Sequence, residues 1–483
     1  MHINSLAAVA LGLASLSAVA ADTTTIIDAK SDHGTWEGWG TSLAWWARRF
    51  GTRDDLADVF FTTKTTSLGG ASLPGLGFNI VRHNAGACSW NAVNGESMVV
   101  SPMMMLSRQI EGHWIDWNST DPASSSWRWD VDTAQRAMLQ KAKSRGANRF
   151  ELFSNSPMWW MTKNHNPSGA ADGSENIQPW NLARHAVYMA TVAQHARDNW
   201  GIDFESVEPF NEPSANWWKA DGTQEGCHID VPTQATIINA LRAELDGRGL
   251  DAVTIAASDE SYYDQAAATL TGLANADALR HVARVNVHGY QYANGRRDLV
   301  SSLAAASGLR IWNSEYGESD ATGEQLVGNL LLDLRWLRPT AWAYWQVLDG
   351  SGWGLVEADN DAGMVGAANQ KYFVLAQFAR HIREGMRILD GGADNVVAAY
   401  DGARSRLVIV AVNWGHAQYL GFDLSKFTQA STNGATVTRW RTQIGESGDR
   451  YIQTNDTTMS GTNFWSFFES KMVQTFEIED VKL

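Results

Sequence analysis

The chain has 483 residues, more than one ordinary core needs and enough for a large barrel with a smaller domain beside it. Its net charge of −15 argues against nucleic acid as a partner, because neutralising phosphates takes a surplus of Lys and Arg. It suits a neutral polymer or a small molecule. Tryptophan is abundant, at 23 residues, but flat indole faces serve packed cores as well as sugar platforms, so abundance alone decides little.

Residues 1–20 read as a secretory signal. Ala7–Val19 is a short apolar run, and Ala18-Val19-Ala20 offers a small-x-small cleavage site, although the segment before the run lacks Lys and Arg. The mature chain is expected to start near Ala21 or Asp22, secreted and extracellular, with no membrane-spanning run after it. Thr23–Ala29 predicts a strand within an N-terminal piece, residues 21–35.

From Trp36 a strand–helix rhythm runs to about residue 386. Strands are expected at Trp36–Ser42, Gly77–His83, Arg149–Asn155, Ser206–Glu212, Ala252–Ser258, Arg284–Tyr290, Leu309–Glu315 and Thr340–Gln346, each followed by a helical segment. Eight such units make a (β/α)8 TIM barrel over residues 36–386, whose working face is formed by the C-terminal strand ends. A long Trp-, Ser- and Met-rich excursion, about Asn84–Asp130, interrupts the second unit.

After Arg387 the helices stop. Six alternating or apolar runs, separated by Gly, Asn, Asp and Ser, predict a β-sandwich side domain over residues 387–483. The N-terminal strand is expected to join it, and the domain reads as a brace on the barrel in preference to a sugar-binding module. Asn118 and Asn455 open Asn-x-Ser/Thr sequons and are expected glycan acceptors in a eukaryotic source. Cys88 and Cys227, the only cysteines, follow the ends of strands two and four and are expected to form a disulfide.

Two strands end on glutamates. Ser206-Val-Glu-Pro-Phe-Asn-Glu-Pro213 stops at Glu212, and Leu309-Arg-Ile-Trp-Asn-Ser-Glu315 stops at Glu315. The proline after Glu212 is expected to hold that residue extended. With strands about 4.8 Å apart and tilted about 36°, the barrel radius is about 7–8 Å, so Cα atoms on strands four and seven lie about 13–14 Å apart. Two inward side chains then leave their carboxyl groups roughly 5–6 Å apart, which favours a retaining glycosidase over an inverting one but does not separate about 5.5 from about 7 Å. No metal-ligand spacing, phosphate loop or cofactor signature is present, and Gly350-Ser351-Gly352 does not match a nucleophile elbow.

Asn211-Glu212-Pro213 and Ser314-Glu315, taken together, resemble clan A glycoside hydrolases. Gly38-Trp39-Gly40, Ser156-Pro157-Met158-Trp159, His288-Gly289-Tyr290 and the terminal β-domain resemble glycoside hydrolase family 30 more narrowly. The resemblance spans the mature chain. It implies Glu212 as acid/base and Glu315 as nucleophile, and among the family's activities the chain resembles most the fungal endo-β-1,6-galactanases, with an arabinogalactan-type polysaccharide as partner and a monomeric enzyme. A β-1,6-glucanase, a glucuronoxylanase and a catalytically silent sugar-binding protein are the alternatives.

Around the pair, Arg82 is expected to hold the nucleophile ionised, Asn211 to reach the sugar 2-OH, and Tyr290 to contact Glu315. His288 reads equally as a core residue or a site residue. Trp159 and Trp345 are expected subsite floors, while Trp90, Trp114, Trp117, Trp127 and Trp129 read equally as subsites or local core. Glu208, Glu37 and Glu318 are decoys. Val347–Asn369 carries no Lys or Arg, so an acidic sugar decoration is not expected to be required.

Overall fold

A computed structural model describes residues 21–483. The expected signal segment, residues 1–20, lies outside the described residues. Eight parallel strands close into a barrel: β1 (Gly38–Ser42), β2 (Ile80–Asn84), β3 (Arg149–Phe153), β4 (Ser206–Glu208), β5 (Thr254–Glu260), β6 (Val282–His288), β7 (Arg310–Tyr316) and β8 (Ala341–Tyr344). Each pairs with its chain neighbours, and β8 closes on β1 through Ala341 opposite Gly38. The strands are buried on both faces, which is why they read as apolar runs instead of alternating ones.

Gly38 shows how tightly the floor is built. Its φ of +145° and the 1.9 Å that would separate an added Cβ from Asn79 Oδ1 leave room for glycine alone. Beside it, Trp36 and Trp39 pack 4.7 Å apart, and Trp39 lies 6.1 Å from Trp342. Several of the many tryptophans are spent in this way, on the barrel base.

The C-terminal segment forms two sheets. One has six antiparallel strands in the spatial order 387–390, 396–401, 406–413, 472–478, 436–443 and 452–458. The other sets Thr23–Ile26 parallel to Gln418–Asp423, which pairs in turn with Asn463–Phe468. Between them Ile27, Ile409, Phe422, Phe464 and Phe476 form a separate apolar core. The larger sheet rests on helix Gln370–Ala379, where the buried Gln377 bonds both Thr442 and Thr475.

Two strands of that sheet, Arg387–Asp390 and Ile452–Thr458, were not expected from the sequence. Ile452–Thr458 is a largely exposed edge with one buried residue, Thr457, so it carries no apolar alternation. A further small sheet, Leu348–Asp349, Val356–Asp359 and Met364–Ala368, is built into the loop after β8.

Candidate active site

At the C-terminal mouth of the barrel lies a cleft of about 760 Å³. Its walls include Asn211, Glu212, Tyr290, Glu315 and Trp345, five of the residues singled out in the sequence. Trp45, Trp217 and Trp353 add aromatic surface, and Trp45 meets Trp345 edge-on at 5.7 Å.

The two glutamates converge. One carboxylate oxygen of each, and a ring nitrogen of His288, all lie within 4.8 Å of one another. Such a trio has the ligand types to hold a cation, but Arg82 and His288 already supply positive charge to these carboxylates. Glu315 is held at both oxygens: Tyr290 donates to Oε1 at 2.7 Å and Arg82 to Oε2 at 3.3 Å. Glu212 is held more loosely, with His288 Nδ1 3.2 Å from Oε1 and Trp217 Nε1 donating to Oε2 at 3.2 Å.

The backbone at Glu212 corrects the sequence reading. Strand pairing in β4 stops at Glu208, and Glu212 has a φ of +47° where an extended conformation was expected. Three bonds pin the bend: Glu212 N–H donates to Asp259 O, and Ala215 N–H and Trp218 Nε1–H donate to Glu212 O. A left-handed glutamate before proline costs energy, and a surrounding structure that over-determines it is what keeps it there.

Beneath the pair is a fully buried charge network. Arg82, from β2, ion-pairs with Glu151, Asp259 and Glu315 and stacks over Phe153 at 4.3 Å. Asp259, at the end of β5, also accepts from Ser314 Oγ at 2.5 Å and faces His288 Nε2 at 3.4 Å. Burial opposes charge on His288, yet Glu315 and Asp259 outweigh it and lift the imidazole to about 10. Of the two readings left open by the sequence, core residue or site residue, His288 takes the second, with Nδ1 against both glutamates.

Burial also pushes Glu315 up to about 7, against the pull of His288 and Arg82, and the Glu212 charge adds to the rise. Of the two, Glu315 has the charged donor and the 2.7 Å phenol, so it is the more firmly held and aimed carboxylate.

Several expectations are corrected. Trp159 is no subsite floor: it is 1 % exposed, its indole N–H donates to Ser89 Oγ, and it packs in the main core. The tryptophans of the excursion do not line the cleft. Trp114 and Trp127 stack 4.9 Å apart as local core, Trp129 stacks on His195, Trp117 packs against Trp160 and Trp180, and Trp90 is exposed away from the cleft.

The cysteines are not bridged either; both are free and buried. Each thiol has its own partner: Cys88 Sγ donates to the Glu225 carboxylate at 3.5 Å, while Cys227 Sγ donates to the His228 carbonyl. Asn118 and Asn455 are exposed. The decoys are occupied elsewhere, with Glu37 bonded to Trp312 and Thr340, Glu318 paired with the buried Lys371, and Glu208 sunk below the site.

Sequence reasoning missed Asp259, Trp45, Trp217 and Arg108. Asp259 passes the test that found the glutamates, an apolar strand ending on an acid, but the expected boundary at Ser258 fell one residue short. Arg108 brings a cation to the cleft from the excursion and bonds Thr223 Oγ1, although the acidic loop after β8 has none of its own.

A family model described as O-Glycosyl hydrolase family 30 matches residues 22–272. The chain is 58 % identical over 463 residues to an endo-beta-1,6-galactanase of Hypocrea rufa, covering 96 % of each. It is 23 % identical to an exo-beta-1,6-galactobiohydrolase of Bifidobacterium longum subsp. longum, over 83 % of this chain and 35 % of that protein. In fold it is similar to the catalytic domain of GH30 xylanase C from Talaromyces cellulolyticus, with a TM-score of 0.70 at 19 % identity, covering 94 % of this chain and 99 % of that one.

Proposed function

The chain belongs to glycoside hydrolase family 30, and from that premise we infer that it cleaves internal β-1,6-galactosidic bonds in galactan chains of the arabinogalactan type, with retention of configuration. The substrate reading is supported by the 58 % identity to an endo-beta-1,6-galactanase over nearly the whole chain. The stereochemical reading is carried by one observation, the convergence of a Glu212 and a Glu315 oxygen within 4.8 Å. Retaining enzymes keep their carboxyl groups about 5–5.5 Å apart, whereas inverting ones leave room for water between them.

In the first step a Glu315 carboxylate oxygen attacks the anomeric carbon and forms a glycosyl ester, while Glu212 gives its proton to the departing oxygen. Arg82 and Tyr290 aim the nucleophile, and Trp345 with Trp45 offers an apolar face to the sugar ring. Asn211, beside the acid, is assigned to the 2-OH. In the second step Glu212 takes a proton from water, whose oxygen attacks the same carbon and releases Glu315.

Action as a monomer is part of the same reading. The Ala7–Val19 run supports secretion. Product analysis on debranched arabinogalactan, β-1,6-glucan and glucuronoxylan tests the substrate. Galacto-oligosaccharides from the first alone are expected; turnover of glucuronoxylan alone would defeat the reading. Hydrolysis followed by NMR is expected to release the β anomer first.

A further inference from the structure

A second concavity, of about 590 Å³, shares no lining residue with the cleft and lies in the seam between helix Gln370–Ala379 and the strands Thr436–Gln443 and Ile452–Thr458. Its wall is aromatic. Trp440 and Tyr451 lie near parallel, 27° apart, and His381 packs 4.3 Å from the Trp440 ring.

A relay locks these rings. Arg380 Nε donates to Tyr451 Oη at 2.9 Å, Tyr451 Oη donates to His381 Nε2 at 2.7 Å, and His381 Nδ1 donates to Glu477 at 2.8 Å. Arg406 completes the chain on the other Glu477 oxygen. No nucleophile takes part, so the relay fixes geometry and performs no reaction.

What remains at the surface of the groove is polar and unspent. Among the described residues Trp440 Nε1 and the Gln453 amide make no hydrogen bond, and Arg450, bonded through Nε to Gln370 and lying 5.3 Å over the Phe373 ring, has no carboxylate partner. A rigid aromatic wall edged by free donors and an amide acceptor suits a sugar ring, which offers an apolar C–H face and a rim of hydroxyls.

The groove is also tied to the cleft. Ala367 and Ala368 border the groove from strand Met364–Ala368. That strand pairs with Val356–Asp359, whose Ala358 and Asp359 line the cleft. One small sheet thus serves both concavities.

We propose that this seam is a second saccharide-binding site, which holds a stretch of neutral β-linked galactan while the cleft cuts the same polymer. The identity of the sugar rests on the substrate reading above. Holding the polymer raises the local concentration of cleavable bonds without touching the chemistry.

Affinity electrophoresis through debranched arabinogalactan, with parallel kinetics on the polymer and on β-1,6-galactotriose, tests it. Losing one stacked ring is expected to weaken retention and polymer kcat/KM by about three- to tenfold in Trp440→Ala. Trisaccharide turnover should stay within about twofold, since so short a chain cannot occupy both sites. Retention equal to wild type, or an equal fall on both substrates, would overturn the proposal.

If Trp440→Ala melts earlier than wild type, the double variant Arg450→Ala/Gln453→Ala decides. Both residues are exposed, and unaltered retention there would overturn the proposal too. A wild type that cuts no β-1,6-galactan defeats the substrate reading instead. The groove is then judged by the same variants in gels of β-1,6-glucan and xylan, and a wild type retained by none of the three polymers ends it.

Discussion

Asp259 Oδ1 lies 3.4 Å from His288 Nε2, directly beneath the two catalytic-pair glutamates, which His288 approaches through its other nitrogen. The same aspartate ion-pairs with Arg82 and accepts from Ser314. One buried carboxylate therefore aims both cations of the site and, after Glu315, helps to keep His288 charged. Asp259 touches no substrate; it is a positioning residue.

Asp259→Asn keeps the shape and removes the charge. Loss of a buried ion-pair partner is expected to lower kcat by about 10²–10³-fold with KM little changed. A merely structural role would not move the His288 titration. By imidazole NMR, His288 should stay protonated through neutrality in the wild type and titrate well below 10 in the variant. An unchanged His288 signal would refute the assignment.

The glutamate pair predicts the pH profile. Glu315 must be ionised to attack, and its carboxyl stands at about 7 because burial and the neighbouring Glu212 carboxylate both raise it. As pH falls through that value the nucleophile is protonated, so kcat/KM should fall on the acid side with an apparent pKa near 7. Glu212→Gln removes the like charge, so Glu315 should titrate lower. With an activated aryl glycoside, the acid limb of the intermediate-forming step should then lie below 7 in that variant. A limb that stays near 7 would assign it to another group.

The barrel was legible because each unit repeats the same physics: a buried apolar strand, then an amphipathic helix. Glu212 and Glu315 were legible because an acid at the end of such a strand has no reason to be there without a task. Trp159 and Trp345 show the limit. Both follow a strand end, and composition cannot tell which indole turns into the core and which into the mouth. The expected disulfide failed for a related reason. Topology places Cys88 and Cys227 on one face, but only side-chain packing reveals that Cys88 turns to Glu225 and Cys227 to the His228 carbonyl. The left-handed Glu212 was hidden because local preference before proline is overridden by bonds from Asp259 and Trp218, which are remote or unreadable in sequence.

The roles proposed for the pair make their variants fail differently. Glu315→Ala should lose about 10⁴-fold or more on every substrate, because no glycosyl ester can form. Glu212→Ala should still form the ester from an aryl glycoside, whose leaving group needs little protonation, and then stall. Azide should rescue both variants with opposite stereochemistry: a β-glycosyl azide from Glu212→Ala and an α-glycosyl azide from Glu315→Ala. The same anomer from both would mean that the roles, or retention itself, are misassigned.

Glu225 predicts a pH-dependent contribution to stability. Wholly buried, it accepts from Asn84, Ala87 N–H, Cys88 and Ile110 N–H, and so ties the end of β2, two points along the excursion and its own loop together. Burial pushes its carboxyl from 4.5 up to about 7, with the Asn84 and Ala87 donors offsetting only part of the rise. The folded chain therefore keeps a proton that the unfolded chain gives up. A folded value above the unfolded one means that the contribution is fully present below 4.5 and is lost as pH rises through about 7. Its full size is about 3 kcal/mol. Glu225→Gln cannot titrate, and the buried histidines are common to both proteins and cancel. In urea unfolding, the stability of the wild type relative to Glu225→Gln should thus be greatest near pH 4.5 and shrink steadily towards pH 7.5. A difference that stays constant across that range, or grows with pH, would show that Glu225 is ionised in the folded protein throughout.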